Sequence, residues 1–238
     1  MPGKLILLPN QIDETSSLED SLPPAVAAAV RSLQGLIAES EKSARRYLRQ
    51  FLSHEQMTQM PIRLLNEHTK PHEVQEFIAP MQRGECWGMI TDAGLPCLAD
   101  PGAELVAAAR KENVRVMAIP GPSSLILTLQ LSGLTSQRFA FHGYLPREGK
   151  ELEEALRAIE KRSRAESATQ MFIEAPYRSQ KLFDALLAVL QPSTLLCVAI
   201  RLTSDTERVA THSVHEWKKR RLVIEKEPTV FAVRANFS

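Results

Sequence analysis

The chain has 238 residues, of which 44% are hydrophobic, 24% charged and 5% aromatic, with only 10 glycines. That composition excludes a disordered, collagen-like or glycine-rich low-complexity chain, and the length suits one large domain or two compact ones. The 29 basic and 28 acidic side chains nearly cancel, so no whole-protein field draws in a polyanion; without a basic leader or an apolar run of about 18 residues, the expectation is a cytoplasmic protein with no membrane span.

In chain order, Lys4–Leu8 reads as a strand, and Pro23-Pro24 opens an Ala/Val-rich helix, since proline is tolerated in a first helical turn. Gly35–Ala38 is a second strand. Ser40–Leu52 carries Ala44, Tyr47, Leu48 and Phe51 at helical spacing. A third strand is expected at Pro61–Leu65, then a helix over His72–Met81 with Val74, Phe77, Ile78 and Met81 on one side. The apolar run Cys86–Ile90 ends in a polar Gly/Pro-rich loop, Thr91–Gly102, followed by a helix through Arg110 and a strand at Val114–Ile119. Nearly continuous apolar strands alternating with helices argue a parallel sheet covered on both faces.

Beyond Pro120-Gly121-Pro122 a helix runs to about Leu131, with Gly133 as its left-handed cap. The pattern then restarts. Strands are expected at Arg138–Gly143, Gln170–Glu174, Thr194–Leu202, Arg208–Thr211 and Thr229–Arg234, and helices at Glu151–Arg162, Ser179–Leu190 and Val214–Arg221. The last strands crowd together, so this second sheet is expected to be mixed. The spacing divides the chain into an N-terminal α/β domain, 1–134, and a C-terminal α/β domain, 135–238. Cys86, Cys97 and Cys197 lie in apolar stretches without a C-x-x-C pair and read as core thiols. Lys218–Arg221 reads as a solvated helix end.

Three segments carry candidate chemistry. Thr91–Gly102 sits at the carboxyl end of an expected parallel strand, where open α/β sheets place ligands. Its Asp92-Ala93-Gly94 turn lets backbone approach a ligand, and Asp92 and Asp100 offer acceptors to hydroxyl or ammonium groups. The bland alternative is an ordinary loop of turn formers. Ile119-Pro120-Gly121-Pro122-Ser123-Ser124 enters a helix, where Ser123 or Ser124 is a plain cap or part of an anion site. Phe172–Arg178 places Glu174 and Arg178 at another strand end, as site residues or as a surface salt bridge. No metal site is expected: Pro71 separates His68 from His72, and no carboxylate completes a zinc pattern. G-x-S-x-G, Walker and G-x-G-x-x-G loops are also missing.

Taken together, T-D-A-G-L-P-C-L-A-D-P-G, I-P-G-P-S-S, S-G-L, F-x-F-x-G-Y-L-P and I-E-A-P-Y-R, in this order over residues 62–235, resemble the tetrapyrrole methylase superfamily of S-adenosylmethionine-dependent methyltransferases. The nearest likeness is to the ribosomal RNA small-subunit methyltransferase I branch, which methylates a ribose 2′-hydroxyl. The resemblance implies two α/β domains with the methyl donor in a cleft between them, a homodimer, and ribosomal RNA as acceptor. By position it implies that Asp92, Ala93, Gly94, Pro96 and Asp100 line the donor site, that Ser123 and Ser124 meet its methionine end, and that Phe141 and Pro176 border the adenine or substrate side. Arg178 is the expected substrate phosphate contact. Asp100, Glu174 and Glu67 are the candidate bases. The chain departs from the branch at Leu8–Asp13, where a P-I-G-N-L-x-D-like loop is usual, and at Glu39–Arg45, where an E-D-T-R-like motif is usual; the sequence ends at Ser238, short of that branch's C-terminal extension. Two other readings stand beside the enzyme: a donor-binding regulatory or scaffolding module without turnover, and a methylase of a small tetrapyrrole-like substrate.

Overall fold

The computed structural model describes residues 3–66 and 68–235, so the candidate base Glu67 lies outside the described residues. The chain falls into two compact units, Met1–Ser123 and Ser124–Ser238. The first comprises β1 (Lys4–Leu7), α1 (Leu18–Ser21), α2 (Ala25–Arg31), β2 (Gly35–Ala38), α3 (Glu41–Arg49), α4 (His54–Gln59), β3 (Ile62–Leu64), α5 (Pro71–Gln82), β4 (Cys86–Met89), α6 (Ala103–Lys111) and β5 (Arg115–Ala118). Its strands form one sheet in the order β3-β2-β4-β1-β5, and every pairing is parallel.

Strand order explains where the helices go. The connections from β1 to β2 and from β2 to β3 advance toward one edge, whereas those from β3 to β4 and from β4 to β5 come back. Right-handed crossovers then place the two sets of helices on opposite faces. Accordingly Val26, Val30, Ala44, Tyr47 and Leu48 pack in one cluster with Ile6, Leu8 and Leu36, and Val74, Ile78, Met81, Leu105 and Ala109 pack in another with Leu5, Ile37 and Met89. Alternate residues of the same strands feed both clusters, as a sheet buried on two sides requires. In the last turn of α5, Pro80 has no N–H for the Glu76 carbonyl, and the Arg63 guanidinium of β3 donates there instead.

The second unit comprises α7 (Ser124–Leu131), β6 (Phe139–Tyr144), α8 (Gly149–Glu166), β7 (Thr169–Glu174), α9 (Ser179–Val189), β8 (Leu195–Ile200), β9 (Arg208–Ser213), α10 (Val214–Trp217) and β10 (Thr229–Arg234). The sheet order is β6-β7-β10-β8-β9. The β6–β7 pair is parallel and the other pairs are antiparallel, which is the mixed sheet expected from the crowded strands. Its core joins Leu152, Leu156, Leu182, Phe183, Leu186 and Trp217 to Phe172, Leu196, Val198 and Phe231. Phe172 and Phe231 stack at 5.8 Å, a geometry that adds roughly 0.5–1.5 kcal/mol beyond burial.

Several expectations shift. The helix Ser124–Leu131 runs against β10 and belongs to the second unit, whereas the spacing put it in the first domain. Gly133 follows it at φ +68, and Thr211 of β9 donates to the Ser132 carbonyl at 2.7 Å. Helix α8 overruns both of its expected ends, beginning at Gly149 and continuing to Glu166. Helix α10 stops at Trp217, leaving Lys218–Arg221 exposed beyond it. Cys86 and Cys197 are buried as expected, but Cys97 is only half-buried, because it lies on the loop after β4 and not in a strand.

Candidate functional site

In the first unit β1 and β4 are neighbours, and the chain leaves them in opposite directions, β1 toward β2 and β4 toward β5. That divergence opens a crevice at their carboxyl ends, the position at which open α/β sheets bind ligands. Two loops rise there. The Leu8 N–H donates to the Met89 carbonyl at 2.9 Å and the Asn10 N–H to the Gly94 carbonyl at 2.8 Å. The Asn10 side-chain amide donates to the carbonyls of Thr91 and Asp92, both at 3.0 Å. The buried Tyr47 hydroxyl of α3 donates to the Pro9 carbonyl at 3.1 Å, which fixes the other end of this clamp.

A second clamp comes from Glu39. The β2–β4 register pairs Ile37 with Met89, and two residues further on Glu39 reaches the turn beside it. Its carboxylate accepts from the Thr91 hydroxyl and from the Asp92 N–H, the latter at 3.1 Å. Backbone groups that this turn would otherwise leave to water are therefore held by side chains that follow β1 and β2. The Asp92 and Ala93 side chains stay exposed.

The loop itself is backbone under constraint. Gly94 has φ +76 and Gly102 φ +129, and the non-glycine residues Cys97 and Ala99 both sit at φ +68, a region that L-residues rarely occupy and that clusters at ligand sites. A Cβ on Gly102 would lie 2.2 Å from Met89 Cε and 2.7 Å from Cys97 Sγ, and one on Gly121 would lie 2.1 Å from Pro9 Cβ. Gly102 is there because the loop lies directly on its neighbours, and Gly121 because the segment after β5 lies directly on Pro9. Between Gly94 and Gly102, Asp100 is half-buried. Burial pushes its carboxyl up to about 6, and the negative charges of Glu39 and Asp92 push the same way, against a hydrogen bond from Thr91 that holds it down.

Beside the Asp92–Ala93 turn lies a cavity of about 460 Å³ whose walls include Asn10, Gln11, Ser40, Lys42, Ser43 and Arg46. It opens between the loop after β1 and the start of α3. Apart from Ile12 and Ala93 the lining is polar or charged.

The candidates of the second unit have other surroundings. Glu174, its side chain 1% exposed, forms an ion pair at 2.7 Å with Arg178 and accepts from the Ala175 N–H at 2.7 Å. Arg178 also donates to the Arg147 carbonyl at 3.3 Å. Pro176 is exposed in a short 3₁₀ turn, and Phe141 is half-buried in β6. The Glu174 carboxylate is thus engaged by its neighbours, and Arg178 pins the 145–148 segment to the end of β7.

The structure therefore brings Asp92, Ala93, Gly94 and Asp100 to one strand-end turn. Pro96 is buried in the same loop, Ser123 is buried at the end of the first unit, and Ser124 is the first residue of α7. Asn10, Glu39 and Tyr47 were not singled out from the sequence as site residues. Glu39 and Asn10 lie in the two segments that depart from the branch pattern, and a carboxylate immediately after a parallel strand was the available signal. Among the described residues no group of three His, Cys, Asp or Glu side chains is placed to hold a metal ion, and no helix is long and apolar enough to cross a membrane.

A parallel sheet with a braced glycine turn at its switch point, followed by a mixed sheet, makes this an α/β protein of two sheets. Residues 18–217 match the family of Tetrapyrrole (Corrin/Porphyrin) Methylases, and the chain belongs to that family. The methyltransferase CobJ superposes with a TM-score of 0.64 over 98% of this chain and 94% of its own, at 14% identity, so the likeness is one of fold. Within the family the chain falls in the ribosomal RNA small subunit methyltransferase I branch. It is 31% identical to the protein of that name from Xylella fastidiosa over 208 residues, covering 87% of this chain and 71% of the relative. The Bacillus subtilis protein is 30% identical over 214 residues, 90% and 68%. The match to the Escherichia coli O157:H7 protein is 34% over 145 residues and spans 49% of that relative's length.

Proposed function

We propose that the chain is a methyltransferase that uses S-adenosylmethionine to methylate small-subunit ribosomal RNA at a ribose 2′-hydroxyl. The observation that carries this reading is the Thr91–Gly94 turn, braced by Asn10 and Glu39 at the sheet's switch point, in a chain of this branch. The residues present fit the donor. Its ammonium and sulfonium charges call for acceptors, and Asp92, exposed, and Asp100, half-buried, supply carboxylates on a loop whose tight turn is made by Gly94 at φ +76. Asp92, Ala93, Gly94 and Asp100 are the residues assigned to hold it, with Ser123 on the same unit.

When bound, the donor supplies a methyl group already activated by the positive sulfur, so no metal is called on. The chain's own task is alignment: reacting atoms held about 3–3.5 Å apart and in line account for most of what positioning offers. Rigidity of the turn serves that task, since its peptide groups are tied to residues that follow two other strands. Of the candidate bases Asp100, Glu174 and Glu67, the last outside the described residues, Asp100 is the one this reading takes. A carboxyl pushed up to about 6 is ionised in mildly alkaline solution yet basic enough to take up a hydroxyl proton as the oxygen attacks. Glu174 is occupied by Arg178 and the Ala175 N–H.

We extend the reading to a homodimer, on the family resemblance and on the prevalence of closed two-fold pairs. The test of function is transfer of a labelled methyl group to separated small-subunit RNA, protein and small-molecule fractions, followed by nuclease digestion. Label in a 2′-O-methylated nucleoside is the expected result. Donor binding without transfer to any fraction, or label in a tetrapyrrole-like molecule, would replace this reading with one of its alternatives.

A further inference from the structure

Two residues lining the cavity beside the Asp92–Ala93 turn carry a buried side-chain oxygen with no hydrogen-bond partner among the described residues, Ser43 Oγ and Gln50 Oε1, and of the two only the hydroxyl of Ser43, itself 4% exposed, can donate. A buried hydroxyl left unpaired forfeits its hydration without a replacement, so natural structures keep few of them without a use. Its own backbone N–H is already taken by the side chain of Ser40, the N-cap of α3. The cavity also receives the start of α3, a nine-residue helix whose first N–H groups have no carbonyl partner within the helix and carry partial positive charge. Lys42 is exposed on its wall. Arg46 lies on the same wall in an ion pair with Glu14, whose side chain is 70% exposed, and an exposed pair of that kind yields readily to a better partner.

We infer that this cavity is a phosphodiester site for the RNA acceptor, filled by a backbone phosphate that accepts from Ser43 Oγ, Lys42 Nζ and the start of α3, with Arg46 closing on it from the side. The inference rests on the functional reading above and specifies which surface takes the substrate. The lining argues for a sugar–phosphate segment over the donor, because an adenine ring or a methionine chain calls for apolar walls and here only Ile12 and Ala93 offer any. Position argues the same way: Asp92 and Ala93 border both the cavity and the turn assigned to the donor, so a phosphate held here leaves the adjoining ribose next to the reacting methyl group.

The test compares Ser43→Ala and Lys42→Gln with the parent in three measurements: binding of a labelled small-subunit RNA fragment against salt, binding of S-adenosylmethionine by calorimetry, and thermal stability. Ser43→Ala is expected to melt no lower than the parent, because the unpaired hydroxyl is gone, and yet to bind RNA about fivefold more weakly with the same salt dependence. Lys42→Gln is expected to weaken RNA binding and to lower the slope of log affinity against log salt by about 0.7, the loss of one single-strand phosphate contact. Donor affinity should hold in both. RNA affinity and salt slope unchanged in both variants, in a parent that does methylate RNA, would overturn the site alone. Weakened donor binding with intact RNA binding would assign the cavity to the donor's carboxylate and overturn it as well. A parent that neither binds nor methylates RNA would overturn this inference together with the functional reading.

Discussion

The two units use strand ends differently. In the first, the loops after β1, β2 and β4 converge, and their side chains are spent on holding one turn open: Asn10 and Glu39 grip its backbone and leave Asp92 and Ala93 exposed. In the second, the segment after β7 closes on itself, Glu174 buried against Arg178 and Arg178 tied to the Arg147 carbonyl. Both segments look equally functional in sequence, each with an acid, a proline and a turn. What separates them is topology. In the first sheet the connections from the parallel neighbours β1 and β4 leave in opposite directions, the arrangement that opens a crevice, whereas in the second the connections from β6 to β7 and from β7 to β8 run in the same direction across the sheet.

The largest effects should come from breaking each unit's own device. Arg178→Ala leaves the Glu174 carboxylate buried without its partner, which costs about 3 kcal/mol in comparable buried pairs; urea denaturation should show it, and Arg178→Lys should recover part of the loss. If Arg178→Ala leaves stability unchanged while transfer to RNA falls, the phosphate role expected from the sequence is the better account. In the first unit Gly102→Ala forces a methyl onto Met89 and Cys97 at φ +129 and should cost about 3 kcal/mol. Gly94→Val separates fold from ligand. Among the described residues a Cβ there meets only the Pro122 carbonyl, at 3.5 Å, so the stability loss should stay near the ~1–2 kcal/mol of a side chain at positive φ, while calorimetry should find donor binding lost. Donor binding equal to the parent would move the site elsewhere.

A smaller effect is expected at Glu39. Glu39→Gln keeps an oxygen for the Asp92 N–H and removes the charge, so stability should fall by about 1 kcal/mol or less. The informative reading is kinetic: a turn that loses precise placement should lower kcat more than it raises the donor KM. Equal changes in both would make Glu39 a binding group only.

Local chemistry made most strands and helices legible, since β4 is an unbroken apolar run and α3 and α5 repeat at helical spacing. The elements that escaped are α1 and α4, of four and six residues, too short to show a period. Helix α4 was nonetheless written in its cap, where Ser53 and Gln56 form a reciprocal capping box. The Thr91–Gly102 loop was legible because positive φ and tight turns demand glycine and because acids beside them have few other uses. Asn10 and Glu39 were not, because their partners lie 81 and 52 residues away and only the β1–β4 and β2–β4 registers bring them together. Arg178 shows the converse: its spacing from Glu174 fitted both a site and a salt bridge, and burial of the carboxylate decided how the pair is engaged.

The stability effect at Asp100 is of similar size to that at Glu39 and has a sign that distinguishes a site residue from a structural one. Its carboxyl is raised from 3.8 to about 6 in the folded chain. Between those values the folded state holds the proton more firmly than the unfolded state, so this group makes stability fall as pH rises from about 4 to about 6, and the loss persists above that range. Undiscounted, a shift of this size corresponds to roughly 3 kcal/mol; because Asp100 is only half-buried, screening by solvent should bring it to about 1 kcal/mol. A carboxamide at this position has no such charge to desolvate. Asp100→Asn should therefore be more stable than the parent by about 1 kcal/mol near pH 8, where methyl transfer should be severely reduced, with the stability difference vanishing near pH 4. In the parent, transfer should decline as pH drops through about 6. Urea denaturation from about pH 4 to about pH 8, run beside the transfer assay, checks both halves. A variant that is less stable at the alkaline end would mean that the Asp100 charge supports the loop, and the residue would then belong to the brace that Asn10 and Glu39 form.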